Sequence, residues 1–169
     1  MRLLPRRLSG RTGGLNTDQL EGAIYGAVIV TAVVVGESLD HEVSPYAGAV
    51  SVAVTAIVYW LAHVYAREMA YRLVQRRQPT LREAARVALD QWPIVEAGIV
   101  PVILLVLGGL GLYGRELAFN LAMAAGVVSL FLWGVAFARR EEEGWGGVLL
   151  SGVFTATLGL AIVGLKAFV

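Results

Sequence analysis

Four titratable side chains, Glu21, His63, Glu68 and Glu96, lie in or beside stretches otherwise built of Ala, Val, Ile, Leu and Gly. Imidazole and carboxylate together suit Fe²⁺, Mn²⁺ or Zn²⁺ as a bound or moving ion. The same groups can pass protons, because histidine titrates near neutral pH and a half-buried carboxyl is shifted toward that range. An ionisable group at the centre of a bilayer costs about 2.5–3.5 kcal/mol on insertion scales, so such groups tend to be functional or paired. The chemistry therefore depends on what holds these four residues and at what depth.

Hydrophobic residues make up 57% of the 169 positions and charged residues 16%, too apolar a balance for one soluble core of this length. The chain divides into apolar stretches near 20 residues, each able to cross roughly 30 Å of hydrocarbon as a helix. This predicts an all-α integral membrane protein, a bundle of five transmembrane helices plus one short amphipathic cytoplasmic helix. There is no cysteine, which excludes disulfides, thiolate metal sites, iron–sulfur clusters and a cysteine nucleophile. No phosphate loop, Ser/His/Asp order or metalloprotease spacing occurs, so an enzyme is not expected.

Residues 1–19 form a basic cytoplasmic tail (Arg2, Arg6, Arg7, Arg11), and 20–169 form a single transmembrane domain. No small-x-small cleavage pattern follows the first apolar run, which is read as a retained helix and not a signal peptide. The predicted spans are about 20–39, 46–76, 93–112, 117–138 and 146–168, with the amphipathic helix at about 80–92. Ser44-Pro45 suits a helix start. Helix 2 is expected to run on as a polar extension, with Glu68 and Arg72 paired at i,i+4 and Tyr59, Trp60, Tyr65 and Tyr71 gathered as an aromatic belt. Thr80 and Glu83 fit a capping box. Leu81, Ala85, Ala88, Leu89 and Trp92 share one face of a helix expected on the cytoplasmic surface.

Twelve of the 14 Lys and Arg fall in the tail, the 67–86 segment and Arg139-Arg140, all on one side when five helices alternate. Arg115 and Lys166 fall opposite. The positive-inside rule then places the N-terminus in the cytoplasm and the C-terminus outside, in a bacterial-type plasma membrane.

With Arg67 and Trp92 as boundary markers, His63 and Glu96 each lie four residues inward, about 6 Å deep at 1.5 Å per residue. Glu21 lies at the same boundary. Three helices thus bring carboxylate, imidazole and carboxylate to one level, with Glu68 just beyond. The structural alternative is that Glu21 and Glu96 sit in headgroup water and pair with Arg67 or Arg72, while His63 bonds a neighbouring helix. Pro101 is expected to free the Ala97 carbonyl beside Glu96 and to kink helix 3. Gly22 with Gly26, and Ala23 with Ala27, would let another backbone approach closely, within the chain or across a dimer axis. Asp40, His41 and Glu42 read as a solvated turn outside, and Glu141 to Glu143 as a solvated face.

GAIYGAVIVTAVVVG in helix 1 resembles the first helix of the vacuolar iron transporter family. GIVP in helix 3 is similar to that family's glycine-then-proline pattern, and SLFLWGVAFARR before a short charged turn looks like its C-terminal half. The resemblance implies five helices, a cytoplasmic N-terminus, a prolonged second helix and a homodimer. It carries no metal ligand over: Tyr25 stands where the family has an aspartate, and the family's cytoplasmic metal-collecting domain is here only the amphipathic segment.

The expectation is a small membrane transporter or channel for a divalent cation, with proton coupling, and Glu21, His63, Glu68 and Glu96 as its polar site. The alternative is a non-transporting scaffold whose surface helix and basic tail dock a cytoplasmic protein or anionic lipid. Nucleic acid is not expected as a partner.

Overall fold

Residues 17–139 and 144–166 are described in the computed structural model. Among them the chain forms six α-helices and no strand: α1 (Thr17–Leu39), α2 (Pro45–Gln75), α3 (Leu81–Asp90), α4 (Pro93–Gly109), α5 (Arg115–Ala138) and α6 (Trp145–Leu165). α1 begins at Thr17, three residues before the helix start expected near 20. The arginines of the tail lie outside the described residues, as do Arg140, the Glu141–Glu143 run and residues 167–168 of the last predicted span.

Four helices, α1, α2, α5 and α6, are long and apolar enough to cross a membrane. The 31 residues of α2 rise about 46 Å, which leaves an extension well beyond roughly 30 Å of hydrocarbon. α4 has 17 residues, about 25 Å, at the short limit for a crossing, and stands bent by 45° to α3.

The break falls where Pro93 lacks an N–H. The Leu89 carbonyl accepts instead from Trp92 N (3.1 Å), and Ile94 N turns back to Gln91 O (3.1 Å), so the chain tightens by one residue at the bend. α4 itself continues as one helix through Pro101. The break between α3 and α4 lies about one turn before Glu96.

α1 packs against both α4 and α5, with α2 and α6 flanking it, and α3 lies against α2. The main core is built of small and medium side chains from four helices, among them Val30, Val34, Val52, Leu105, Ala122 and Phe119. Glycines let the axes close up. A Cβ at Gly22 would lie 3.3 Å from Ile94 Cγ1, and one at Gly26 only 2.6 Å from the Ile94 carbonyl oxygen. The Gly22/Gly26 pair is thus used inside the chain, against α4. At the α5–α6 crossing, a Cβ at Gly134 would meet Ser151 O at 2.7 Å, and the Ser151 hydroxyl donates to Gly134 O (3.1 Å).

The charges sort to two ends of this bundle. Arg115 Nε donates to Val43 O (2.9 Å), and its Nη2 donates to Asp40 O (2.6 Å) and Ser38 O (3.4 Å). Lys166 lines a cavity of about 260 Å³ with Ser38, His41 and Arg115 at that same end. Arg67, at the other end, meets Glu21, and Arg139 stacks over Trp145, 5.6 Å from the ring centroid.

Candidate functional site

The residues with chemistry gather along one antiparallel seam between α1 and α2. At one end Arg67 Nη2 stands 3.9 Å from Glu21 Oε2. One turn along, the Tyr25 and His63 rings are 6.1 Å apart, and His63 packs on Tyr59 at 4.5 Å. Near the other end the Ser51 hydroxyl donates to Glu37 Oε1 at 2.5 Å. Four residues along α1, from Glu21 to Tyr25, match four back along α2, from Arg67 to His63. Twelve more, to Glu37, match twelve more, to Ser51. A constant antiparallel register therefore holds all three contacts, and it places a carboxylate at each end with an imidazole between.

His63 Nδ1 lies 3.2 Å from the Tyr59 carbonyl. A carbonyl only accepts, so this partner assigns the ring proton to Nδ1. In the neutral ring Nε2 is left as the basic nitrogen, which can take a proton or a metal ion. The half-buried ring sits between two phenols, one of them Tyr25, which is itself exposed.

The other two sequence-derived residues go elsewhere. Glu68 stays on α2, 4.0 Å from Arg72 Nη2. Glu96 lies on the exposed face of α4 with Ile99, Val100 and Ile103, while Ile94, Ala97, Gly98, Pro101 and Leu105 form that helix's buried face. Among the described residues no three His, Asp or Glu side chains come together as a ready-made metal cage. The structure brings Glu21 and His63 onto one seam and leaves Glu68 and Glu96 off it.

Two participants were not singled out from sequence. The bond of Glu37 to Ser51 depends on the hairpin register, 14 residues apart in the chain. Tyr25 was noted only for standing where a resembling family has an aspartate. Gln91 is a third surprise: it is 1% exposed at the α3–α4 bend, beside Gly22, and its Nε2 has no hydrogen-bond partner among the described residues.

Beyond the bundle, α3 folds back along the extension of α2. Trp60 Nε1 donates to Ala88 O (2.9 Å), and the Trp60 and Trp92 rings meet edge to face at 5.6 Å. At the tip Arg77 grips Glu83 with two bonds, Nη1 to Oε2 at 2.9 Å and Nη2 to Oε1 at 2.6 Å. Tyr71 OH donates to the same carboxylate (2.9 Å), and so does Thr80 N (2.8 Å), within the expected capping box. The Arg77 guanidinium, helped by the Thr80 and Tyr71 bonds, holds the Glu83 carboxyl well below the usual carboxylate range. α3 is thus stapled to α2 instead of standing apart from it. The chain matches no protein family, no characterised protein and no solved structure.

Proposed function

We propose that the chain is a five-span membrane transporter or channel for a divalent cation, with proton coupling, and that the α1–α2 seam is its polar path. Five spans require the 17 residues of α4 to make the third crossing, with α3 bent away at its cytoplasmic end. The distribution of Lys and Arg supports a cytoplasmic N-terminus, an outside C-terminus and a plasma-membrane location. The observation that carries the transport reading is the register of the seam: Glu21, His63 and Glu37 stand in sequence along it. A second copy of the chain is the proposed cover for its open side, where α1 exposes Tyr25, Ala32 and Gly36, small enough in the last two positions for close helix approach. The likeness of helix 1 to vacuolar iron transporters supports the same direction.

In this reading His63 Nε2 takes and releases the proton or ion, Tyr59 O fixes its tautomer, and Glu21 and Glu37 attract the cation at either end. Proteoliposomes holding a metal-sensitive dye test it with Fe²⁺, Mn²⁺ and Zn²⁺. His63→Ala and Glu21→Gln are each expected to cut flux about tenfold or more, the loss seen when a metal's surroundings are disturbed. Unchanged flux in both removes the seam as a path.

One observation favours the alternative, a non-transporting scaffold. The buried polar residues among those described are Thr31, Ser38 and Gln91, none of them charged. An interior of that kind suits a packed bundle. Absence of flux for every cation, with normal folding, would decide for it.

A further inference from the structure

Arg115 and Lys166 are the two basic residues that the order of the spans sets apart from the other twelve. The fold brings them together. Arg115 opens α5, Lys166 follows the last turn of α6, and both line the cavity of about 260 Å³ at the end where α1 turns into α2. Like charges that face one space repel, so this convergence calls for a counter-charge.

The groups around the cavity supply little of it. Arg115 uses Nε and Nη2 on the carbonyls of Val43, Asp40 and Ser38, which are neutral acceptors. Its guanidinium also lies over the buried Phe119 ring. The fork is thereby fixed, and Nη1 is left without a bond among the described residues. No ion pair among those residues includes Lys166. Glu116 is the one acid among the lining side chains. It stands in the first turn of α5, where the positive end of the helix meets part of its charge. The Asp40 carboxylate accepts from Glu42 N at 3.0 Å.

We propose that this cavity binds a phosphate group, Arg115 Nη1 and Lys166 Nζ donating to its oxygens while the Asn120 amide and the His41 ring add neutral donors. A planar fork and a point charge on one anion are what phosphate recognition uses. A space of about 260 Å³ lies below the range of drug-sized pockets, so the occupant is a small head. α6 carries no charged residue before Lys166. In the membrane reading the cavity therefore opens at headgroup depth, where a phospholipid of the outer leaflet offers the same chemistry as phosphate in solution. The site stands apart from His63 and does not rest on transport.

The full chain, isotope-labelled at nitrogen and held in phosphate-free maltoside micelles, reports this site by NMR through Arg115 Nε–H and the Asn120 side-chain amide. Inorganic phosphate is titrated in one arm and phosphatidylglycerol in the other. Saturable shifts of both signals are expected in at least one arm. K166Q should weaken that binding roughly tenfold to a hundredfold, the worth of a hydrogen bond to a charged group, and K166R should retain it. H41A/N120L leaves the Arg115 clasp and α6 untouched and should weaken it too, read at Arg115.

Saturation by inorganic phosphate assigns a soluble source, and saturation by phosphatidylglycerol alone assigns the lipid. Both support the site. Signals that move with neither probe overturn it, and so does binding that K166Q and H41A/N120L leave unchanged. Flux along the seam is a separate measurement, so its loss or survival leaves this result standing.

Discussion

Gly26 of α1 lies so close to Ile94 of α4 that a Cβ there would stand 2.6 Å from the Ile94 carbonyl oxygen and 2.9 Å from its Cα. Those are backbone atoms, which cannot swing aside as a flexible side chain can. The contact sets the rotation of α4 about its own axis. It turns Ile94 and Ala97 inward and leaves Glu96 on the outer face.

Gly26→Ala is therefore expected to force α1 and α4 apart and to destabilise the fold by about 1–3 kcal/mol, the usual cost of overpacking. Gly164→Ala is the control, since a Cβ at Gly164 meets nothing within 4 Å. It should be neutral, or stabilising by up to about 1 kcal/mol through helix propensity. Unfolding of both variants in mixed detergent micelles compares them. Equal behaviour would contradict the close crossing.

Arg115 clasps the turn between α1 and α2 through three carbonyls and lies over the Phe119 ring, 4.8 Å from its centroid. A lysine keeps the charge but lacks the planar fork that reaches several acceptors at once. Arg115→Lys should cost about 1–3 kcal/mol, read as a lower thermal midpoint in detergent. An unchanged midpoint would show that water replaces the clasp at no loss.

The Glu83 staple has a defined pH dependence. Its carboxyl is held below the usual range by Arg77 first, then by Thr80 and Tyr71, so the folded hairpin favours the ionised form. That stabilisation is fully present above the ordinary glutamate pKa, about 4.3. It is lost only as the pH falls below that range toward the depressed folded value. Amide exchange over 81–90 should stay protected at pH 5 in the native chain and be faster in Glu83→Gln, with little further change on acidification. Loss of protection in the native chain between pH 7 and pH 5 would be the wrong sign.

Glu96 offers a separate test of the seam. It lies on the exposed face of α4, off the α1–α2 seam. Glu96→Gln should leave flux near the native level and stability within about 0.5 kcal/mol, as for other exposed substitutions. His63→Ala should not. A loss of flux in Glu96→Gln equal to that in His63→Ala would place the path on the α4 face.

Much of this was legible before any coordinates. Ser44 caps α2, its hydroxyl accepting from Ala47 N at 3.1 Å, and Thr80 with Glu83 closes a capping box, because both depend only on residues three positions apart. The Glu68–Arg72 pair is likewise local. The Gly22/Gly26 spacing announced a close approach but not its partner. Pro101 lies inside the continuous α4, and the 45° break between α3 and α4 falls at Pro93.

The amino-acid order alone determined the spacing of polar groups along each helix, because an α-helix rises by the same 1.5 Å at every residue. Glu21, His63 and Glu96 could be set at one level by counting. Counting also offered Glu21 a partner in Arg67 or Arg72, and the structure pairs it with Arg67. Which way the other groups point was decided by packing, Gly26 against Ile94 turning Glu96 outward and the α1–α2 register bringing Tyr25 to His63 and Glu37 to Ser51. Spacing follows from local geometry that every helix shares. Direction follows from contacts between residues tens of positions apart, for which spacing along the chain carries no signal.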